Sequence, residues 1–299
     1  MAATPDYDSW SLPQLKAELK GRKLPVSGIK IVLKQRLINS DNRIEYSSPK
    51  FHIPKDFPYK VRDTILSILR NECVKMFISR QYGNPEIFQV AIESLKLNTS
   101  ITSLHLQSIA TKHVDGGRLL GDLINSRPTL THLALSNCFL EPEGTFHIAK
   151  ALYKNTTLKS LHLGSSQVYA KGAEYIADML KTNTTLEKLR LPLSYIQCEG
   201  AIAIAEALSI NTSLRKLDIS FNGIKDEGAI AIAHSLHTNT SLHNLNLENH
   251  RDIGDPGFEA LNIALGINTK LRKFKIDIPK YDYCGFCTKY SILFERITP

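Results

Sequence analysis

The chain has 299 residues, 42% of them hydrophobic and 22% charged, with a formal net charge of +8. That much apolar material suits a large core and excludes extensive disorder, and no apolar run approaches the roughly 20 residues that a membrane-crossing helix needs. The positive charge is concentrated: residues 98–299 carry 21 Lys/Arg against 19 Asp/Glu, whereas Leu15 to Arg36 hold seven bases and one acid, Glu18.

Met1 to Trp10 carry Asp6 and Asp8 and no apolar core, so no signal peptide is expected. Five cysteines, at 73, 138, 198, 284 and 287, are an odd and sparse set. They read as free thiols in a reducing compartment.

The first predicted elements lie within residues 10–38. Ser11 and Gln14 form a capping box for a short helix that carries Leu12, Leu15 and Leu19 on one face and ends at Gly21. Leu24-Pro25-Val26 is extended, because a residue before proline avoids the helical region. Ser27 then caps a second helix with Leu33 and Leu37 on its buried side. So small a core makes the module marginally stable. Leu15-Lys16, Glu18-Leu19, Leu24-Pro25, Ser27-Gly28, Lys30, Leu33 and Arg36-Leu37 together resemble the SAP motif, a helix–loop–helix module associated with DNA binding. The resemblance implies that the loop and the start of the second helix face DNA. The residue chemistry agrees. Free amides at Ser27-Gly28 suit a phosphate, and Arg22, Lys23, Lys30 and Lys34 surround them with positive charge. Ile29, Ile31 and Val32 are more apolar than is usual for that family.

Three prolines and several polar residues make Asn39 to Pro58 a linker. Tyr59 to Arg80 then places Val61, Ile65, Ile68, Leu69, Met76 and Phe77 at helical spacing, which predicts one amphipathic capping helix. Asn84-Pro85 starts a half repeat whose helix carries Ile87, Ala91 and Leu95.

From there the chain is periodic. The triplet Leu130, Leu133, Leu135 recurs at 158, 161, 163, at 186, 189, 191, at 214, 217, 219 and at 242, 245, 247. Ile101, Leu104, Leu106 precede the set and Leu271, Phe274, Ile276 follow it, in steps of 28 or 29 residues. Gly117, Gly144, Gly172, Gly200, Gly228 and Gly257 keep the same beat, as do Asn98, Asn155, Asn183, Asn211, Asn239 and Asn268. Only Arg127-Pro128-Thr129 breaks the asparagine series. Each unit reads as a short strand with one buried face followed by an amphipathic helix, as in Gly200 to Leu208. One such pair cannot bury its face alone, so the units stack into a solenoid.

These markers resemble the leucine-rich repeat family, in its ribonuclease-inhibitor-like class, over about residues 85–278. The fold expected is an α/β horseshoe, with a parallel concave sheet and convex helices. The family usually has Asn or Cys three residues after the last strand leucine. Here Cys138 and Asn222 fit, while Ile109, Ser166, Ser194 and His250 do not, so an incomplete polar ladder and looser turns are expected. Tyr281 to Pro299 lacks the repeat and reads as a C-terminal cap.

Alternation assigns the concave face. One column is His105, Ala134, His162, Arg190, Asp218, Asn246, Lys275, and the next is Ser103, His132, Ser160, Lys188, Lys216, Asn244, Lys273. A third is Thr102, Thr131, Lys159, Glu187, Arg215, His243, Arg272. Bases gather from the fourth repeat on, so Lys188, Arg190, Arg215, Lys216, Lys273 and Lys275 are the candidate protein-binding residues, suited to an acidic partner. Few aromatic anchors are expected there.

His105, His132 and His162 lie close together on adjacent strands, yet no carboxylate or cysteine completes a metal set. Cys284-Gly-Phe-Cys287 lacks a second ligand pair and a thioredoxin-like context. No phosphate-binding loop, dinucleotide fingerprint, zinc-protease helix or nucleophile elbow is present, so no cofactor, catalytic residue or small-molecule substrate is assigned.

The expected organisation is a SAP-like module over 1–45, a linker over 46–58, a helical cap and half repeat over 59–97, repeats over 98–278 and a cap over 279–299. The expected function is a non-enzymatic adaptor that contacts double-stranded DNA with little sequence preference and recruits a protein on the concave face. The nucleus is its expected location, with the cytoplasm as alternative. The rival functions are a regulatory solenoid of GTPase-activating type and a pure protein-interaction scaffold.

Overall fold

The computed structural model describes residues 11–21, 58–71, 75–78, 85–109, 115–250, 252–281 and 287–295. Near the N-terminus, α1 spans Leu12–Gly21. The Ser11 amide donates to Gln14 Oε1 at 2.7 Å, which is the return arm of the expected capping box.

The rest is a leucine-rich-repeat solenoid. Its strands are β1 (Lys75–Ile78), β2 (Ser103–Gln107), β3 (His132–Ser136), β4 (Ser160–His162), β5 (Lys188–Arg190), β6 (Lys216–Asp218), β7 (Asn244–Leu247), β8 (Lys273–Tyr281) and β9 (Cys287–Glu295). They form one sheet in chain order. Pairing is parallel from β1 to β8, and β9 closes the edge antiparallel to β8. The helices are α2 (Tyr59–Leu69), α3 (Pro85–Leu97), α4 (Gly116–Ser126), α5 (Glu141–Leu152), α6 (Tyr169–Leu180), α7 (Gln197–Leu208), α8 (Asp226–Thr238) and α9 (Asp255–Ile267). Each packs on the next along the convex side.

The strand leucines meet across the sheet in the expected register, Leu161 opposite Leu189, Leu189 opposite Leu217 and Leu217 opposite Leu245. One core runs from Val61 to Ile276. The repeated glycines let helices touch. A Cβ on Gly117 would stand 2.2 Å from Gly144 Cα, and one on Gly200 would stand 2.8 Å from Ala173 Cβ.

The repeated asparagines bind one unit to the next. Asn211 Nδ2 donates to Leu180 O at 2.7 Å and to Asn183 O at 3.1 Å. Its Oδ1 accepts from the Ser213 and Leu214 amides at 3.0 and 2.8 Å. Asn183, Asn239 and Asn268 repeat the pattern on Leu152, Leu208 and Leu236. The leucine carbonyls reached lie in the last turn of the preceding unit's helix, where no intrahelical donor is available. Where Arg127 replaces the asparagine, its guanidinium donates to Asn98 O instead.

The structure corrects two expectations. The capping helix does not run from Tyr59 to Arg80. It ends at Leu69, Asn71 turns at φ 54°, and β1 follows. Met76 and Phe77 therefore lie on a strand, paired with Leu104 and His105, and the sheet begins one repeat earlier than the leucine pattern implies. Asn71 Oδ1 accepts from the Thr99 amide at 2.6 Å, so this first turn is tied to the next like those that follow.

The polar ladder after the strands is also more complete than expected. Ser166 Oγ donates to Leu135 O and Ser194 Oγ to Leu163 O, each at 2.8 Å. Asn222 Nδ2 reaches Leu191 O at 2.7 Å, and the Ile224 amide donates to His250 Nδ1 at 3.2 Å. A hydroxyl or an imidazole thus fills the role of the family's usual side chain, and all four residues are buried. Ser166, Ser194 and His250 complete the ladder, while Ile109 brings no polar group to it.

Candidate protein-binding site

The strands hold the concave columns in register. Ser160, Lys188, Lys216, Asn244 and Lys273 follow one another across adjacent strands, and so do His162, Arg190, Asp218, Asn246 and Lys275. The third column lies one residue before the strands. Its Lys159, Arg215 and Arg272 are exposed.

The six candidate bases are not equivalent. Arg190 Nε lies 3.1 Å from Asp218 Oδ2, and Asp218 also accepts from Ser220 Oγ at 2.7 Å. Lys275 Nζ lies 3.5 Å from Glu248. Arg215 Nη1 donates to Ser241 O at 3.1 Å. Lys188 and Lys216 stand side by side on β5 and β6, about 4.8 Å apart at the backbone. From β1 to β8 their column holds no acid, Glu295 of β9 standing opposite Lys273 only at its far end, and neither lysine forms an ion pair among the described residues. Like charges directly opposite in a sheet cost stability, so this pair is the part of the face that gains most from an anion. Lys273 continues the column beyond Asn244, with Arg272 beside it and Glu295 of β9 in register opposite. The basic surface is therefore centred on Lys188 and Lys216, because Arg190 and Lys275 at the strand ends pair with Asp218 and Glu248, and Lys159 before β4 pairs with Glu187 at 3.0 Å.

The histidines bond within the protein. His105 Nε2 lies 3.2 Å from Ser136 Oγ, and His132 Nδ1 lies 2.8 Å from Thr131 Oγ1. No group of three or more potential metal ligands occurs among the described residues. The His162 imidazole is pushed down to about 4, first by burial and next by the Arg190 guanidinium, with Asp218 opposing and His105 adding a smaller depression.

Above its ordinary value of 6.5, His162 is neutral whether the chain is folded or not. Between that value and about 4, only the unfolded chain binds the proton. Stability present above 6.5 is therefore lost as pH falls through this window. The melting temperature is expected to drop over that range, and less steeply in His162→Gln. An equal drop in the variant would exclude His162 as the source.

Arg22, Lys23, Ser27, Gly28, Lys30 and Lys34 lie outside the described residues, as do Cys73 and Cys284. The buried Cys138 thiol is pushed up to about 11 by burial, as suits an inert core thiol.

Sequence reasoning missed the loop edge that follows the strands. Tyr169, Leu193, Tyr195 and Phe221 are exposed there, each with positive φ. Tyr169 and Tyr195 stack at 5.7 Å. The signal lay in the repeat register. Asn137 and Ser165 are polar where Leu193 and Phe221, one and two repeats on, are apolar.

Known families match two parts of the chain. The SAP domain matches residues 6–42, and the Leucine Rich repeat matches residues 154–177, 211–233 and 238–261. Fold and matches together define a leucine-rich-repeat solenoid preceded by a SAP domain. Among solved structures, the leiomodin-1 actin-binding site 2 is 22% identical, covering 46% of this chain and 79% of that one at a TM-score of 0.42. The tropomodulin C-terminal domain of Caenorhabditis elegans is 18% identical, covering 46% and 83% at 0.42. No curated protein matches the chain.

Proposed function

We propose that this chain is a non-enzymatic adaptor. Its SAP domain holds double-stranded DNA through Arg22, Lys23, Lys30, Lys34 and the Ser27-Gly28 amides. Its concave face holds an acidic segment of a partner protein through Lys188, Lys216, Arg215 and Lys273. The observation that carries the second half is the Lys188–Lys216 pair, adjacent on neighbouring strands with no acid on either of the strands beside them in that column. An acidic helix laid across the strands suits this spacing. Carboxylates at i and i+3 or i+4 rise about 4.5–6 Å along a helix axis, close to the strand separation of about 4.8 Å. A nuclear location accords with this reading.

The test uses the full chain with a fluorescent DNA duplex and a fluorescent glutamate-rich helical peptide. Lys23→Ala/Lys30→Ala/Lys34→Ala is expected to weaken DNA and leave the peptide unchanged. If about four phosphates are neutralised, log affinity for DNA falls with log salt at a slope near −3.6, and this variant makes the slope shallower. Lys188→Glu/Lys216→Glu is expected to weaken the peptide about tenfold or more, with DNA binding and melting temperature unchanged. Absence of DNA binding at low salt would overturn the first half. Peptide binding that ignores the charge reversal would overturn the second.

A further inference from the structure

We infer that the loop edge after β4, β5 and β6 is a second docking surface, for a linear segment of a partner protein that carries an apolar side chain followed closely by Lys or Arg. Tyr169, Leu193, Tyr195 and Phe221 supply the apolar part from three consecutive loops. Leu193, Tyr195 and Phe221 are 49%, 55% and 47% exposed, and Tyr195 stacks on Tyr169 with the rings 23° apart. A soluble surface carries single exposed apolar residues as a matter of course, as at Leu97 and Ile210. A contiguous group rich in aromatics marks an interface.

The neighbouring charges define the partner. An open cavity of ≈ 550 Å³ adjoins these loops, bordered by Gln197 and Gly223 and by Glu199, Glu227, Asp252 and Lys225. Gly223 stands one repeat after Tyr195 in the loop, and no atom lies within 4 Å of the place its Cβ would take. The missing side chain leaves room beside the aromatic group. Three carboxylates against one ammonium make the cavity anionic. Neither Glu199 nor Asp252 forms an ion pair among the described residues, so both can meet an incoming cation. An acidic segment or a nucleic acid would be repelled here, which separates this surface from the basic column on the concave face.

The test is selection from a random-peptide phage library on the full chain, with Leu193→Ser/Phe221→Ser as counter-selection. An enriched pattern of an apolar residue with Lys or Arg a few positions later is expected. A synthetic peptide of that pattern is expected to bind about tenfold more weakly to Leu193→Ser/Phe221→Ser. It is also expected to weaken several-fold on Glu199→Gln/Glu227→Gln and with added salt. Lys188→Glu/Lys216→Glu is expected to bind it unchanged, which keeps this test independent of the adaptor reading. All the altered side chains are on the surface, so melting temperatures provide the folding control. No enrichment, an acidic pattern, or binding indifferent to both loop variants would overturn the proposal.

Discussion

Replacing Asn211 with Ala is expected to lower the unfolding free energy by about 3–5 kcal/mol, the cost of orphaning several buried backbone groups at about 1–3 kcal/mol each. The side chain is buried and serves four of them, Leu180 O, Asn183 O and the Ser213 and Leu214 amides. Ser213 Oγ also reaches Asn183 O at 3.2 Å, so that carbonyl keeps a partner and the loss falls on the other three. Asn155 provides the comparison. Its amide donates to Thr157 Oγ1 within its own turn, and no bond to the preceding unit is among those it makes with Thr157 and Leu158. Asn155→Ala is therefore expected to cost about half as much or less. Denaturant unfolding of both variants measures the difference. Equal losses would mean that the bonds between units contribute nothing. In a solenoid, stability depends on neighbouring units, so Asn211→Ala is also expected to broaden the transition as the two halves separate.

Leu217→Ala is expected to cost about 2–5 kcal/mol through lost burial and the cavity left behind. Leu217 is 2% exposed at the centre of β6, between Leu189 and Leu245. Its neighbours on both sides are held by strand pairing, so the site cannot collapse to fill the space. A loss below about half a kcal/mol, within the range of a surface change, would mean that this position does not face the core.

The fold was legible because each repeat asks the same physical question and answers it with the same residues. Leu161, Leu189, Leu217 and Leu245 must fill the same slot. Asn183, Asn211 and Asn239 must bond the same carbonyls. Gly200 must let one helix approach another. A residue type required at a fixed step shows in one sequence without any comparison. The candidate site was legible only in its columns. Alternation put Lys188, Arg190, Lys216 and Lys275 on one face, but the spacing of single residues does not tell which charges cancel.

The solenoid, its register from β2 to β8, the concave face and the SAP-like pattern near the N-terminus were all readable from the chain alone. The first three follow from the 28- or 29-residue period and the last from a local set of motif residues, all of them properties of the chain. What depends on distance across repeats emerged only on folding, and the folded molecule settles it. It placed Met76 and Phe77 on β1, because pairing with β2 outweighs a helical spacing that carries no leucine or glycine marker. It let Ser166, Ser194 and His250 serve in the ladder, since a buried carbonyl or amide needs a partner of suitable reach rather than a particular residue type. It consigned Arg190 to Asp218 and Lys275 to Glu248 and left Lys188 beside Lys216. It also gathered Tyr169, Leu193, Tyr195 and Phe221, which lie up to two repeats apart in the chain, onto one exposed edge. Stacking brings residues 28 apart to within about 5 Å, and only at that distance do charge and apolar surface act together.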